Sequence, residues 1–365
     1  MSGAADQRFM RLAIALGQRG LGRVWPNPAV GCVLVREGRV LARGWTQPSG
    51  RPHAEAMALT GCDARGATAY VSLEPCAHHG KTPPCSQALI DAGVARVVTA
   101  LTDPDSRVAG RGHAMLRGAG VEVVEGVEAE AARAANAGFL LRVTAGRPFV
   151  TLKLALTLDG RIATGSGESR WITGAQARRM VHLMRARHDA VLVGAGTARA
   201  DDPDLRVRGL GVAHQPVRVV ATQALGLDAG GRLGQSAGAA PVWIAHGPQA
   251  PDAARMHWQA AGAELIEVEE AATGLDAGAL MQALGARGLT RVFCEGGGAL
   301  AASLVAADLV DELVIFSAGK LIGEEGRAGL AGLGLVALAD APEFELTGLR
   351  ALGGDVLHRW RRRRG

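Results

Sequence analysis

The spacing of apolar positions in the N-terminal part of the chain alternates between the period of a helix and that of a strand. Phe9, Ala13 and Leu16 share one face of a predicted first helix over residues 7–20. Residues 29–35 predict a buried strand, and residues 39–45 predict its hairpin partner. The following segments predict strands at 68–73, 94–101 and 121–124, and helices at 53–59, 86–92, 112–117 and 128–141. This α-β-β-α-β-α-β-α-β-α order predicts an α/β/α sandwich, one sheet with helices on both faces.

A segment with the composition of a linker, residues 144–148 (Thr-Ala-Gly-Arg-Pro), precedes a second series of alternating elements. It predicts strands at 149–156, 190–194, 217–221, 242–245, 292–294 and 309–316, and a helix at 175–186. At 365 residues the chain has the length of about two domains. We therefore predict two α/β domains, residues 1–146 and 147–365.

The composition excludes several classes of protein. No apolar run reaches the length of a membrane-spanning helix, and the N-terminus lacks the apolar core of a signal peptide, so a cytoplasmic protein is expected. Five cysteines, an odd number, favour a metal site or free thiols over a disulfide framework. Of the net charge of +5, four charges come from Arg361–Arg364, which leaves too little for an extended nucleic-acid surface. That run is expected to be a solvated charged end, with weak anion binding as the alternative.

The chain uses arginine almost everywhere that it needs a cation. Of 40 basic residues, only Lys81, Lys153 and Lys320 are lysines. A compact ammonium and a planar guanidinium are not interchangeable, so these three positions are candidates for sites that need an ammonium.

Histidine and cysteine residues are concentrated between residues 53 and 85. His53 precedes Glu55 at the start of a predicted helix, Cys76 follows a predicted strand, and Cys85 follows after a loop. One His and two Cys make a zinc site with an open fourth position, and Glu55 is placed to serve as a general base. His78 and His79 are alternative ligands, and a closed zinc site without catalysis would leave Glu55 without a role.

This His-x-Glu … Pro-Cys … Cys pattern resembles the zinc-dependent nucleobase deaminases. It departs from their usual Pro-Cys-x-x-Cys, because the two cysteines are nine residues apart. Residues 26–32 (Pro-Asn-Pro-x-Val-Gly-Cys), 52–55 (Pro-His-Ala-Glu), 74–85 and 103–112 together resemble the N-terminal half of the bifunctional riboflavin-biosynthesis deaminase/reductase family. The resemblance implies a cytidine-deaminase-like fold, a substrate of the diaminohydroxyphosphoribosylaminopyrimidine type, Lys81 on its ribose phosphate and Asn27 on its pyrimidine edge. The alternatives are an exposed surface position for Lys81, which the scarcity of lysine and the resemblance disfavour, and a turn-forming role for Asn27.

Two glycine-rich turns follow predicted strands in the second domain, at residues 194–197 and 295–298. Either could bring backbone N–H groups to a pyrophosphate, but neither matches the full G-x-G-x-x-G fingerprint. Together with residues 153–161, 166–173, 188–197 and 200–205 they resemble the reductase domain of the same family. That resemblance implies a dihydrofolate-reductase-like fold and NADPH as cofactor.

The resemblance also implies roles for individual residues of the second domain. Lys153 and Asp201 are the candidates for orienting or protonating the sugar. The expected NADPH contacts are Ala155, Trp171, Thr197, Asp201, Gly296, Gly297 and Gly298. The expected substrate contacts are Ser169, Arg185, Leu205, Arg208 and Glu295, with Arg185 and Arg208 on the phosphate. As alternatives, Trp171 could be a core or lid aromatic and residues 201–203 a helix cap or turn.

The sequence therefore predicts a two-domain enzyme that uses Zn2+ and NADPH on a small phosphorylated pyrimidine and binds neither nucleic acid nor membrane. Zinc-dependent deamination of the ring would precede reduction of the ribosyl group to ribityl. A homo-oligomer, dimer or tetramer, is expected. The alternatives are a nucleoside or nucleic-acid deaminase with an unrelated second domain, and a zinc-stabilised module that senses NADP.

Overall fold

The computed structural model describes residues 3–77, 83–105 and 109–364. The chain forms two compact units, Met1–Gly146 and Arg147–Gly365. In the described parts of the chain no helix is long and apolar enough to cross a membrane.

The first unit contains a five-stranded sheet of order β2-β1-β3-β4-β5. Strand β1 is antiparallel to both of its neighbours, whereas β3, β4 and β5 are parallel. The predicted order of elements is confirmed. The elements are α1 (Gly3–Gly17), β1 (Gly31–Arg36), β2 (Arg39–Trp45), α2 (Ala54–Leu59), β3 (Thr68–Val71), α3 (Cys85–Asp91), β4 (Arg96–Thr99), α4 (Arg111–Gly118), β5 (Glu122–Val124) and α5 (Ala129–Ala145).

Helix α1 packs closely on the sheet of the first unit. A Cβ atom on Gly31 of β1 would lie 1.9 Å from the carbonyl oxygen of Ala13, so only glycine allows this approach. The buried carboxylate of Asp6 accepts hydrogen bonds from Tyr70 Oη (2.7 Å) and from two nitrogens of Arg96 (2.9 Å each). These contacts tie α1 to β3 and β4 and so fix the sheet that carries the metal-binding segments.

The second unit contains a nine-stranded sheet of order β11-β10-β9-β8-β12-β6-β13-β16-β15, and β7 pairs separately with β14. The first seven strands in that order, from β11 across to β13, run parallel to one another. The antiparallel hairpin β15–β16 pairs with β13 through β16 and completes one edge. The strands are β6 (Phe149–Thr157), β7 (Arg161–Ala163), β8 (Ala190–Gly194), β9 (Val217–Thr222), β10 (Val242–His246), β11 (Glu264–Glu267), β12 (Arg291–Cys294), β13 (Glu312–Ala318), β14 (Arg327–Ala328), β15 (Phe344–Leu352) and β16 (Asp355–Arg362). The helices are α6 (Ala175–Arg185), α7 (Ala195–Asp201), α8 (Arg232–Gln235), α9 (Asp252–Ala260), α10 (Ala277–Ala286) and α11 (Gly298–Ala306).

The expectation that Arg361–Arg364 forms a solvated end is confirmed for the side chains of Arg361 and Arg363, which are exposed, and wrong for Arg362 and Arg364, which form ion pairs. Arg361 and Arg362 belong to β16. Arg362 Nε lies 2.7 Å from Oδ1 of Asp308, and Arg364 Nη1 lies 2.8 Å from Oδ1 of the buried Asp311. The run is therefore attached to the folded sheet edge, and two of its four charges are paired with carboxylates about 50 residues away in the sequence.

Candidate metal centre and candidate cofactor site

The structure brings His53, Cys76 and Cys85 together in the first unit. His53 is the residue before α2, Cys76 follows β3, and Cys85 is the first residue of α3. Their ligand atoms all lie within 4.8 Å of one another. His53 Nδ1 lies 3.3 Å from Cys85 Sγ and 3.7 Å from Cys76 Sγ. Three ligands drawn from imidazole and thiolate suit Zn2+ and leave one tetrahedral position for water or substrate.

The surroundings of Cys76 favour the thiolate that a metal requires. Hydrogen bonds from the Cys85 side chain and, more weakly, from His53 and the Cys85 backbone N–H lower the pKa of Cys76 to about 4. The backbone N–H of Cys85 donates to Cys76 Sγ at 3.3 Å. That N–H belongs to the first turn of α3, where the helix dipole also stabilises negative charge.

Glu55 is a buried carboxyl group beside these ligands. It lies in the first turn of α2, two residues after His53, and only 4% of it is exposed. Burial, together with the negative charge of Cys76, raises the pKa of Glu55 above its ordinary value. A carboxyl group with a raised pKa is one that can both take up and release a proton.

Glu74 is a site residue whose role sequence reasoning missed. Its buried carboxylate accepts hydrogen bonds from four backbone N–H groups. The donors are Asp103 (3.1 Å), Gly110 (2.9 Å), Gly112 (2.8 Å) and His113 (3.3 Å). It thereby ties the segment that carries Cys76 to the segment that leads into α4. The same packing buries Asp103 and raises its pKa to about 6. The position of Glu74 directly before Pro75-Cys76 was the available signal.

Of the two predicted substrate contacts of the first unit, Asn27 lies within the described residues and Lys81 does not. Asn27 packs its side chain against Gly50, where a Cβ would lie 2.0 Å from Asn27 Nδ2. Gly50 has a φ of +82°, so this contact needs glycine on both counts. Lys81, together with the alternative ligands His78 and His79, lies outside the described residues. Both substrate contacts stay predictions.

In the second unit the structure brings Lys153 and Glu295 together with Arg185. The Lys153 ammonium Nζ lies 3.8 Å from Glu295 Oε2. Arg185 grips the same carboxylate, with Nε 2.5 Å from Oε1 and Nη2 3.1 Å from Oε2. Burial lowers the pKa of Lys153, while the charges of Glu295 and Asp201 oppose that effect. Burial alone would raise the pKa of Glu295, but Arg185 and Lys153 hold it below its ordinary value.

Arg185 and Arg208, both expected on the substrate phosphate, have different surroundings. Arg185 is committed to Glu295 and to the carbonyl oxygen of Arg206 (3.1 Å). Arg208 is exposed, and its backbone N–H donates to His182 Nδ1 at 3.3 Å. Leu205, between them in the sequence, is buried and has a φ of +59°. Of these two arginines, Arg185 has its guanidinium bound within the protein, whereas the side chain of Arg208 is exposed.

The two glycine-rich turns of the second unit meet each other. Gly297 N–H donates to Thr197 Oγ1 at 3.0 Å, which joins the end of β12 to α7, the helix after β8. Gly298 begins α11, so the first N–H groups of this helix lie just after β12. Ala155 lies on β6, and Asp201 ends α7 as an exposed residue.

Ser169 and Trp171 lie on the loop between β7 and α6. Arg170 between them donates from Nη2 to the carbonyl oxygen of Asp201 at 3.4 Å. This contact brings the loop to the end of α7 and so near another predicted NADPH contact.

Comparison with known proteins covers both units. Residues 4–101 match the cytidine and deoxycytidylate deaminase zinc-binding region, and residues 148–358 match the RibD C-terminal domain. The riboflavin biosynthesis protein RibD of Escherichia coli (strain K12) is 43% identical over 96% of this chain and 98% of its own. That of Aquifex aeolicus is 35% identical over 96% of this chain and 97% of its own.

Solved structures agree with this assignment over the full length. Acinetobacter baumannii RibD has a TM-score of 0.89 and 36% identity, and the match covers 100% of both chains. The diaminohydroxyphosphoribosylaminopyrimidine deaminase/5-amino-6-(5-phosphoribosylamino)uracil reductase of Thermotoga maritima has a TM-score of 0.86 and 36% identity over 99% of both chains. The chain therefore belongs to the RibD family of bifunctional deaminase/reductases of riboflavin biosynthesis, as its motifs predict.

Proposed function

We propose that unit Met1–Gly146 deaminates a diaminohydroxyphosphoribosylaminopyrimidine and that unit Arg147–Gly365 then reduces the ribosyl group of the product to ribityl. Zinc and NADPH are the cofactors of these two steps. The observation that carries the proposal is the placement of Glu55, a buried carboxyl, beside a three-ligand set with an open position. Because the relatives match both units, a deaminase with an unrelated second domain is not favoured.

In the deaminase site, His53, Cys76 and Cys85 would hold zinc. Bound zinc lowers the pKa of its water to about 7, which supplies a nucleophile at neutral pH. Glu55 would carry two protons in turn, the first from the attacking water to the ring nitrogen and the second from the newly attached hydroxyl to the amine, which leaves as ammonia. The raised pKa of Glu55 suits it to both transfers. Asn27 and Lys81 would hold the pyrimidine edge and the phosphate.

In the reductase site, the ring-opened sugar would accept hydride from NADPH at C1′, and Lys153 would supply the proton or orient the sugar. The charge of Glu295 opposes the lowering of the Lys153 pKa by burial. Asp201 acts with Lys153, and Ser169, Leu205, Arg185, Arg208 and Glu295 would line the substrate. The NADPH contacts would be Ala155, Trp171, Thr197, Asp201 and Gly296–Gly298. Alignment of hydride donor and acceptor supplies much of the rate.

Separate assays of the two reactions test the proposal. Glu55→Gln should abolish ammonia release from the diaminopyrimidine ribotide and leave bound zinc and NADPH oxidation on the deaminated ribotide intact. Lys153→Met should abolish NADPH oxidation on the deaminated ribotide, and its ammonia release should equal that of the unaltered protein. Loss of both reactions in either variant would contradict two separate sites.

We also infer a homo-oligomer and a cytoplasmic location. Light scattering after size exclusion measures the first. Fractionation of cells expressing the protein measures the second.

A further inference from the structure

Trp171 is a large apolar side chain that lies mainly in solvent, with 63% of it exposed. The guanidinium of Arg178 lies 4.4 Å from the centre of the indole ring, at cation–π distance. Next to Trp171, two side chains outside the loop form hydrogen bonds with its backbone. Arg178 Nη1 donates to the carbonyl oxygen of Thr173 at 2.6 Å, and Gly174 N–H donates to Asp355 Oδ2 at 2.7 Å. The loop is thus fixed on the side of α6.

Lys320 holds this loop from the other side. Its ammonium Nζ donates to the carbonyl oxygen of Trp171 at 2.6 Å. The segment that carries Lys320 is hydrogen-bonded to the end of β6, because Leu158 N–H donates to the Lys320 carbonyl oxygen at 2.8 Å. The carboxylate of Asp159 accepts from Ile322 N–H (3.1 Å) and Gly323 N–H (2.7 Å) just beyond it. The ammonium therefore reaches the loop from a fixed anchor between β13 and β14.

The choice of lysine at this position is informative, because the chain has only three. Lys81 and Lys153 have proposed roles with the substrate, whereas Lys320 has none. A surface position that needed only positive charge could carry arginine, as nearly all others in this chain do. A single carbonyl acceptor is better served by a compact ammonium than by a planar fork built for two acceptors.

We propose that Lys320 is a positioning residue for NADPH, acting through Trp171. By binding the carbonyl oxygen it sets the backbone from which the indole projects, while Arg178 occupies one face of the ring. The other face of the ring stays available to the cofactor. This inference rests on the proposed function, which places Trp171 against NADPH. Loss of Lys320 frees the carbonyl oxygen of Trp171 and so reorients the loop at that residue. The contacts at Thr173 and Gly174 stay in place, so the unit remains folded.

Lys320→Met tests the proposal in the full-length protein. Its KM and Kd for NADPH should rise about tenfold, the effect of losing one charged hydrogen bond, and kcat should stay within about twofold. Lys320→Arg should recover only part of the affinity, because a planar guanidinium fits a single carbonyl acceptor less well than an ammonium. Arg350→Met, a substitution of an exposed residue of β15, removes a positive charge from the same unit and should change neither the KM nor the Kd for NADPH. Ammonia release should be equal in all of these proteins.

Combination with Trp171→Ala separates the possible outcomes. Trp171→Ala alone should weaken NADPH binding, and adding Lys320→Met should then cause little further loss, because the positioned indole is already absent. Fully additive losses would mean that Lys320 touches NADPH directly and would overturn the positioning role. If Trp171→Ala weakens binding and Lys320→Met does not, the inference fails while the proposed function stands. If Trp171→Ala leaves the NADPH affinity unchanged, the proposed contact of Trp171 fails, and this inference fails with it.

Discussion

Lys153 Nζ lies 3.8 Å from Glu295 Oε2, at a point where two parallel strands place them side by side. Cys294, the last residue of β12, pairs in register with Leu152 of β6, so Glu295 and Lys153 directly follow two residues that face each other. The register of the sheet, and not a flexible loop, therefore sets the distance between the proposed proton donor and its counter-charge. Arg185 binds the same carboxylate and limits its movement.

Glu295→Gln should move the pH dependence of the reductase reaction. Burial already lowers the pKa of Lys153, and the charge of Glu295 opposes that effect. Without this charge the pKa of Lys153 falls further, and the ammonium form is lost at lower pH. The alkaline limb of kcat/KM for NADPH oxidation should thus shift to lower pH. An unshifted limb would show that the protonation of Lys153 does not govern the rate. Glu312→Gln, a substitution on β13, is the matched control.

Replacement of a single thiol should separate zinc content from the fold. Cys76→Ser should remove bound zinc and ammonia release, because serine is a poor ligand and the remaining two donors cannot retain the metal. Cys62→Ser changes a half-buried thiol of the same unit and should keep both. Zinc per chain, measured by atomic emission, together with ammonia release provides the readout. Full zinc content in Cys76→Ser would refute the ligand assignment, while NADPH oxidation should be unchanged in both proteins.

Glu74→Ala should destabilise the first unit. The substitution leaves four backbone N–H groups without their acceptor, and each unsatisfied buried donor costs about 1–3 kcal/mol. The temperature at which ammonia release is irreversibly lost should fall by about ten degrees or more. Glu122→Ala removes an exposed carboxylate paired with Arg96 and should have a much smaller effect. Equal losses in the two variants would show that the N–H groups find water instead.

The sequence predicted most of the first unit because its information is local. Apolar periodicity marked each strand and helix, and the turn signal Glu37-Gly38 coincides with two residues of positive φ, 54° and 75°. The predicted ligands meet because each lies where a helix begins or a strand ends. In the second unit the predicted central strands are present, including β6 and β8.

What the sequence could not predict depends on contacts between distant segments. The carboxylate of Glu74 binds N–H groups about 30–40 residues away, and no local pattern marks such a partner. The edge hairpin β15–β16 was missed because its exposed strand alternates weakly between apolar and polar residues. The arginine run at its end looked solvated for the same reason, since Asp308 and Asp311 are remote in sequence.

Arg364→Met should therefore lower the stability of the second unit, although the residue stands at the end of the chain. It removes the contacts of Arg364 Nε with Asp308 Oδ2 (3.1 Å) and of Nη1 with Asp311 Oδ1 (2.8 Å). Because Arg364 is partly exposed, the loss should be modest, about 1 kcal/mol. Arg361→Met, three residues earlier on the same strand, is the control and should be near neutral. Urea unfolding followed by NADPH oxidation measures both, and identical midpoints would restore the solvated-end interpretation.

His188 should make the second unit sensitive to acid. The ring lies fully inside the unit, with Nδ1 2.7 Å from the Met184 carbonyl oxygen and Nε2 3.0 Å from Thr151 Oγ1. Burial, aided by the charge of Arg291, lowers its pKa from 6.5 to about 3. In the unfolded chain the same group binds a proton below pH 6.5, so the unfolded state takes up more protons. Stability should then be fully present above pH 6.5 and fall as the pH drops toward 3.

The expected slope from this one group is about 1.4 kcal/mol per pH unit within that window. Urea unfolding of the second unit at several pH values measures it, with tryptophan fluorescence as the signal. His188→Gln should reduce the slope by about that amount, whatever it does to stability at neutral pH. His257→Gln replaces an exposed histidine of α9 and should leave the slope unchanged. If His188→Gln and the unaltered protein lose stability equally as the pH falls, then His188 is already protonated in the folded unit, and the buried neutral ring inferred from its two hydrogen bonds is wrong.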